Sequence, residues 1–137
     1  MGLFHRSGGY SIFISEIDAE HRTLFRMADE LETALASRAP QKRSEVLQAL
    51  VSHIQDHFAH EERLMRASRY DAFEWHKHQH DGARRRVKQF IKRIEEGDRK
   101  AGAEMLQYLA AWLQTHIPVT DRMMAAYLRN FERRRAA

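Results

Sequence analysis

Within residues 57–80, HFAHEERLMRASRYDAFEWHKHQH, two pairs of residues of metal-ligating type stand four apart: His57 with Glu61, and His76 with His80. On an α-helix, residues four apart lie one above the other on the same face. Each pair can therefore grip a metal site from one helix. A hairpin turning at Ser68-Arg69-Tyr70-Asp71 would bring the two pairs face to face. Three further candidates, His21, His116 and Asp121, fall on the inward stripes of the flanking segments.

Every one of these residues has a plainer reading. A lone inward histidine such as His21 is more often a hydrogen-bonded core residue than a ligand, and an HxxxH pair arises by chance on exposed helices. Co-occurrence weighs the other way. Burying five imidazoles and two carboxylates without a compensating cation costs several kcal/mol per unpaired group. A bound metal removes that cost, because neutral imidazole and carboxylate are its ligands. Seven side chains exceed one site, so two ions sharing bridging carboxylates are expected. Two six-coordinate ions offer about twelve positions, a geometry that iron takes readily, whereas zinc prefers four-coordinate closure. Five histidines, two bridging carboxylates and one bridging solvent oxygen leave a single position open for a small ligand.

The other histidines and their neighbours take structural readings. His78 lies between two candidate ligands and so faces away from them, and His5 sits in an N-terminal arm. His60 is placed at a helix boundary or on the surface. His53, one turn before His57, is a core-edge residue or a support behind a ligand. Glu62 points a quarter-turn from Glu61 and is expected in solvent, while Trp75 and Met65 are assigned to the core.

Four helices would carry the cluster. Residues 1–14 read as an arm lying across the rest as a cover, with Tyr10, Ile12, Phe13 and Ile14 as its apolar side. Residues 15–137 read as one all-α domain, an up-down-up-down antiparallel four-helix bundle. The first helix runs from Ser15 to Ser37, with Ser15 or Asp18 capping its start and Ile17, His21, Leu24, Phe25, Ala28, Leu31 and Leu35 on one stripe. Pro40 suits the first turn of a second helix that ends near Ala67. Asp71 is the expected N-cap of the third, and Gly97 with Asp98 stops it and caps the fourth. His116 and Asp121 are five apart, which at ordinary helical pitch swings them about 140° from each other. A distorted turn is therefore expected between them, caused by Pro118 or a π-type bulge.

Composition narrows the classes. The chain of 137 residues is 43% apolar and 31% charged, which suits one folded domain and argues against disorder. Six glycines and two prolines are too few for many short strands. With no cysteine there is no disulfide, thiolate ligand or thiol nucleophile. No apolar run reaches signal-peptide or membrane-spanning length, and Arg6 breaks the myristoylation pattern that Gly2 would open, so a cytoplasmic location is expected. The net charge is +4, but acidic residues are interspersed with the basic runs at 84–86 and 133–135, so nucleic acid is not the expected partner.

The spaced set of His21, HFxxEExxM at 57–65, HxxxH at 76–80 and WLxxHIxxxD at 112–121 resembles the hemerythrin family, and most of all its single-domain bacterial branch. The resemblance spans nearly the whole chain from Tyr10, where relatives often place a tryptophan. It implies a left-handed four-helix bundle and two iron ions, ferrous or ferric, joined by an oxo or hydroxo bridge. It implies that His76, His80 and His116 hold one iron, that His21 and His57 hold the other, and that Glu61 and Asp121 bridge them. An apolar pocket of Leu24, Phe58, Trp112, Leu113 and Ile117 would admit O2, or small anions such as azide, to the open position. No Glu-x-x-His pair of the ferritin type is placed to serve as ligands, and no nucleophile–base pair is present. Reversible O2 binding as a carrier, store or delivery protein is therefore expected, because the chain is one domain with nothing fused to it. An O2 or redox sensor acting on a signalling partner is the alternative, as is an enzyme such as a weak peroxidase or nitric-oxide scavenger.

Overall fold

The computed structural model describes residues 10–137. Residues 1–9 of the expected arm, His5 among them, lie outside them. The described chain forms four antiparallel rods: α1 (Ser15–Ala36), α2 (Pro40–Ala67), α3 (Phe73–Glu95), and a fourth made of α4 (Ala101–Thr115), a π turn (His116–Asp121) and α5 (Arg122–Ala136). The first rod packs on α2 and α4, and α3 packs on α2 and α4. The apolar stripes meet in one core, where Ile17, Leu31, Leu50, Met65, Met105 and Ile117 are fully enclosed. No helix among the described residues is long and apolar enough to cross a membrane.

The rods end where local backbone chemistry ends them. At Arg69 (φ 57°) the chain turns left-handed, Tyr70 N–H reaches Met65 O at 3.0 Å, and Arg69 N–H reaches Arg66 O at 3.1 Å. That pair of bonds is the Schellman closure of α2. Tyr127 locks it by donating its hydroxyl to Ser68 O at 2.6 Å. The same closure ends α3 at Gly97 (φ 89°), with Asp98 N–H on Arg93 O. A Cβ at Gly97 would meet nothing within 4 Å, so only backbone strain opposes a side chain there. Gly97→Ala is expected to lower unfolding free energy by about 1 kcal/mol, read from urea midpoints. An unchanged midpoint would contradict that assignment of strain.

Three expected caps are absent. Helix α1 starts after Ile14 with no side-chain cap. Asp18, one turn inside, instead accepts from Ser11 Oγ and Ile12 N–H, both at 2.9 Å, and so ties the arm to the bundle. Helix α3 starts after Ala72, one residue beyond Asp71, because Phe73 N–H first closes a turn on Tyr70 O. Asp98 braces its own loop, accepting from Lys100 N–H at 2.9 Å and from Arg93, while α4 begins only at Ala101. The segment before α1 is held from the far side as well, by Arg129 on Ile12 O and Arg122 on Ser11 O. Ile12 is buried and Tyr10 packs on Phe25, but Phe13 is 71% exposed, turned outward by its positive φ of 65°.

Candidate metal centre

The fourth rod explains how His116 and Asp121 can share a site. Pro118 has no N–H to give to the preceding turn, and its ring crowds the carbonyl four residues back. The chain takes one π turn here, with Arg122 N–H bonding to Ile117 O five residues back. In that geometry, residues five apart stand on one face. His116 and Asp121 therefore both point into the core.

All seven expected ligands meet in the centre of the bundle, and all are buried. The imidazole Nε2 atoms face the two carboxylates in a divided pattern. Glu61 Oε1 lies 3.2 Å from His76 Nε2 and 3.1 Å from His80 Nε2. Its Oε2 lies 3.2 Å from His57 Nε2 and 3.9 Å from His21 Nε2. Asp121 repeats the division: Oδ1 is 3.1 Å from His76 and 3.0 Å from His116, and Oδ2 is 3.3 Å from His21. Each carboxylate thus turns one oxygen to a three-histidine group and the other to a two-histidine group. Ligand atoms of Glu61, His76, His80, His116 and Asp121 lie within 4.8 Å of one another, as do those of His21, His57, Glu61 and Asp121.

This donor set fits cations. Nε2 of His21, His80 and His116, Oε2 of Glu61 and both oxygens of Asp121 are buried without a hydrogen-bond partner. Orphaned lone pairs on borderline nitrogens and hard oxygens, converging on two points, are what two iron-sized ions would satisfy. Protons carry part of the charge when metal is absent. Burial alone would lower His57, but Glu61, Glu20 and Asp121 outweigh it and lift it to about 10. Burial likewise opposes His76, which Asp121 and Glu61 raise to about 9. Burial wins at His116, which is lowered despite Asp121. Burial would raise Glu61 and Asp121, yet the surrounding imidazoles hold both below the ordinary carboxylate range.

Three residues orient candidate ligands from behind, two of them, Glu20 and Gln79, not singled out from the sequence and the third, Glu62, expected in solvent. Glu20 Oε1 accepts from His57 Nδ1 at 2.6 Å, Glu62 Oε2 accepts from His80 Nδ1 at 2.8 Å, and Gln79 Oε1 accepts from His116 Nδ1 at 2.9 Å. A bond at Nδ1 leaves the Nε2 lone pair for metal. Each supporter neighbours a candidate ligand in sequence: Glu20 precedes His21, Glu62 follows Glu61, and Gln79 precedes His80. One residue along a helix is a rotation of about 100°, so each points at the next rod in chain order and supports a ligand there. The signal to look for is a polar residue beside each ligand.

Glu62 is accordingly not in solvent: it is 6% exposed, with Arg84 Nη1 donating to Oε2 at 2.8 Å. His60 is half-buried in the middle of α2, not at a boundary, and donates to Glu20 Oε2 at 2.6 Å. His53 does act behind the site, donating Nε2–H to Glu20 O at 2.9 Å. Trp75 is 46% exposed, because it sits one step off the α3 stripe of His76 and His80, while Met65 is fully buried and His78 is exposed.

The five expected pocket residues lie in the same core, with Trp112 partly buried. The rings bias it to one side. Phe58 stacks on His80 at 4.0 Å and stands 6.1 Å from His57, and Trp112 stacks on His116 at 4.0 Å. The aromatic wall thus covers the three-histidine group, and Leu24 stands one turn along α1 from His21.

Residues 12–128 match the family model for the hemerythrin HHE cation-binding domain. A bacteriohemerythrin of Stenotrophomonas maltophilia is 32% identical over 97% of this chain and 89% of its own length. A myohemerythrin of Theromyzon tessulatum is 29% identical over 82% of each chain. Among solved structures, wild-type hemerythrin superposes with a TM-score of 0.77 at 26% identity, covering 83% of this chain and 88% of that one. A hemerythrin point variant, at 24% identity, shares the fold with a TM-score of 0.85 over 93% of this chain and 98% of that one.

Proposed function

The chain belongs to the hemerythrin family, and from that premise we propose that it binds O2 reversibly at a non-haem di-iron centre, as a carrier, store or delivery protein. The observation that carries this reading is the division of Glu61 and Asp121 between unequal groups of histidines. His76, His80 and His116 would hold one iron with one oxygen from each carboxylate. His21 and His57 would hold the other with the remaining two oxygens, one ligand short of its neighbour. When bound, the iron pair, which carries an oxo or hydroxo bridge in the family, would supply two electrons to O2 from its reduced state, and an open coordination position for O2 or for an anion such as azide.

The protein's own work is to position and to exclude. Glu20, Glu62 and Gln79 keep three imidazoles aimed inward. Leu24, Phe58, Leu113 and Ile117, with Trp112 at the edge, share the core with the centre and would shield it with groups that neither give nor take protons. A dry wall of that kind protects bound gas from protonation and from competing solvent. It favours binding over turnover. The cysteine-free sequence and absence of a spanning helix among the described residues support a cytoplasmic setting for this role.

The test is anaerobic reduction followed by O2 titration, with metal analysis and optical spectra on one sample. Two irons per chain are expected, with a charge-transfer band that appears on oxygenation and vanishes under argon. A single iron, or steady consumption of reductant under O2 or peroxide, would overturn the carrier reading, the second outcome in favour of an enzyme.

A further inference from the structure

A surface cleft of about 240 Å³ opens beside the two-histidine group, lined by Glu20, His53, Asp56, His57, His60 and Arg63. Its inner wall is a hydrogen-bonded series. A carboxylate only accepts, so His60 Nδ1–H donates to Glu20 Oε2 and His57 Nδ1–H donates to Glu20 Oε1, both at 2.6 Å. Glu20 is half-buried and comes from α1, whereas both imidazoles come from α2. Held at one oxygen only, a glutamate side chain keeps freedom about its torsions. Held at both, its plane is fixed, and so is the direction in which it points His57.

We propose that His60 is a positioning residue for the two-histidine group, acting through Glu20 to set the tautomer and orientation of His57. The inference rests on the reading of His57 as a metal ligand. It follows from how unevenly the two groups are supported. In the three-histidine group Nδ1 of His76 has no partner, but two imidazoles are oriented from behind: His80 is backed by Glu62, which Arg84 holds, and His116 by Gln79, which Thr120 also holds with a hydroxyl at 2.8 Å. In the two-histidine group, Nδ1 of His21 has no protein partner, so His57 is the one imidazole oriented from behind. Whatever loosens Glu20 loosens that group selectively. His60 lies in the cleft, away from the metal points, where no ligand function competes with this role.

The test compares wild type, His60→Ala and His60→Asn, an asparagine amide N–H being able to stand where the imidazole Nδ1–H stands. Cobalt(II) is titrated into each metal-free protein against a competing chelator. Wild type is expected to show two binding steps, and H60A to weaken one of them about tenfold, the lower end for loss of a ligand's outer partner, while leaving the other unchanged. H60N should recover most of the loss. In a second arm, nitrogen-edited NMR of the metal-free proteins follows the deshielded Nδ1–H proton of His57, which should vanish or shift upfield in H60A and persist in H60N. Two wild-type steps left unaltered in H60A would overturn the proposal, as would equal weakening of both steps in H60A and H60N, which marks a merely structural role. Fewer than two wild-type steps would count against the di-iron reading. In that case the NMR arm stands alone, and an unmoved His57 proton in H60A overturns the inference.

Discussion

His76→Ala is expected to strip the chain of iron and to destabilise even its metal-free form, whereas His78→Ala, two residues away, changes neither. His76 faces both carboxylates, 3.2 Å from Glu61 and 3.1 Å from Asp121, and has no exposure to solvent. It is thus the imidazole placed to touch both bridges from the three-histidine side. Without it, two buried carboxylates held in their ionised form lose their nearest shared donor. Removing one partner from a buried charge pair costs about 3–5 kcal/mol, because the remaining charge is left uncompensated. His78 is exposed on the opposite face of α3, where a truncation stays within about 0.5 kcal/mol. Metal analysis and urea unfolding of the two variants, side by side, decide the matter. Equal iron content in both would remove His76 from the ligand set, and with it the assignment of the three-histidine group.

The contrast between these neighbours was readable in the sequence, because helical period alone separates residue 76 from residue 78. The same arithmetic anticipated the four rods, the inward direction of all seven candidate ligands and the distortion between His116 and Asp121. Five residues do not complete an ordinary turn and a half, and Pro118 supplies a cause. What period could not supply was anything fixed by the approach of one rod to another. Glu20, Glu62 and Gln79 lie a quarter-turn off the inward stripe, which on an isolated helix means solvent. In the bundle that direction means the adjacent helix. Trp75 erred in the opposite sense, since size and apolarity argued for the core while its angular position argued against it, and position won. The caps failed for a third reason. Asp18 and Asp71 have the right chemistry for helix starts, but Asp18 is taken by the arm and the turn at Tyr70 carries the start of α3 past Asp71.

Loading the metal-free protein at pH 7 is expected to release two imidazolium protons per chain, because metal takes only deprotonated imidazole, in addition to any proton given up by solvent that becomes a hydroxo bridge. The two come from His57 and His76, lifted to about 10 and about 9 and therefore protonated before metal arrives. His116, lowered by burial, is already neutral and contributes none. The same shifts fix how the metal-free fold responds to pH. A histidine whose folded value lies above its ordinary 6.5 stabilises the fold fully below 6.5 and loses that contribution as pH rises toward its folded value. Metal-free protein should therefore weaken progressively between pH 6.5 and about 9 to 10, as the imidazolium charges facing Glu61 and Asp121 disappear. Those carboxylates, held low, work in the reverse sense: their contribution is present above the ordinary carboxylate range and is lost only on strong acidification. Loaded protein should show little weakening across the alkaline window, since the cations that replace the protons do not titrate away there. Calorimetry of metal uptake in two buffers of different ionisation enthalpy gives the proton count directly, and urea midpoints across the window give the rest. Uptake without proton release would mean that the buried imidazoles are neutral beforehand. The carboxylates would then have no positive partner until metal enters, and a metal-free fold that stays equally stable from pH 6.5 to 10 would say the same by an independent route.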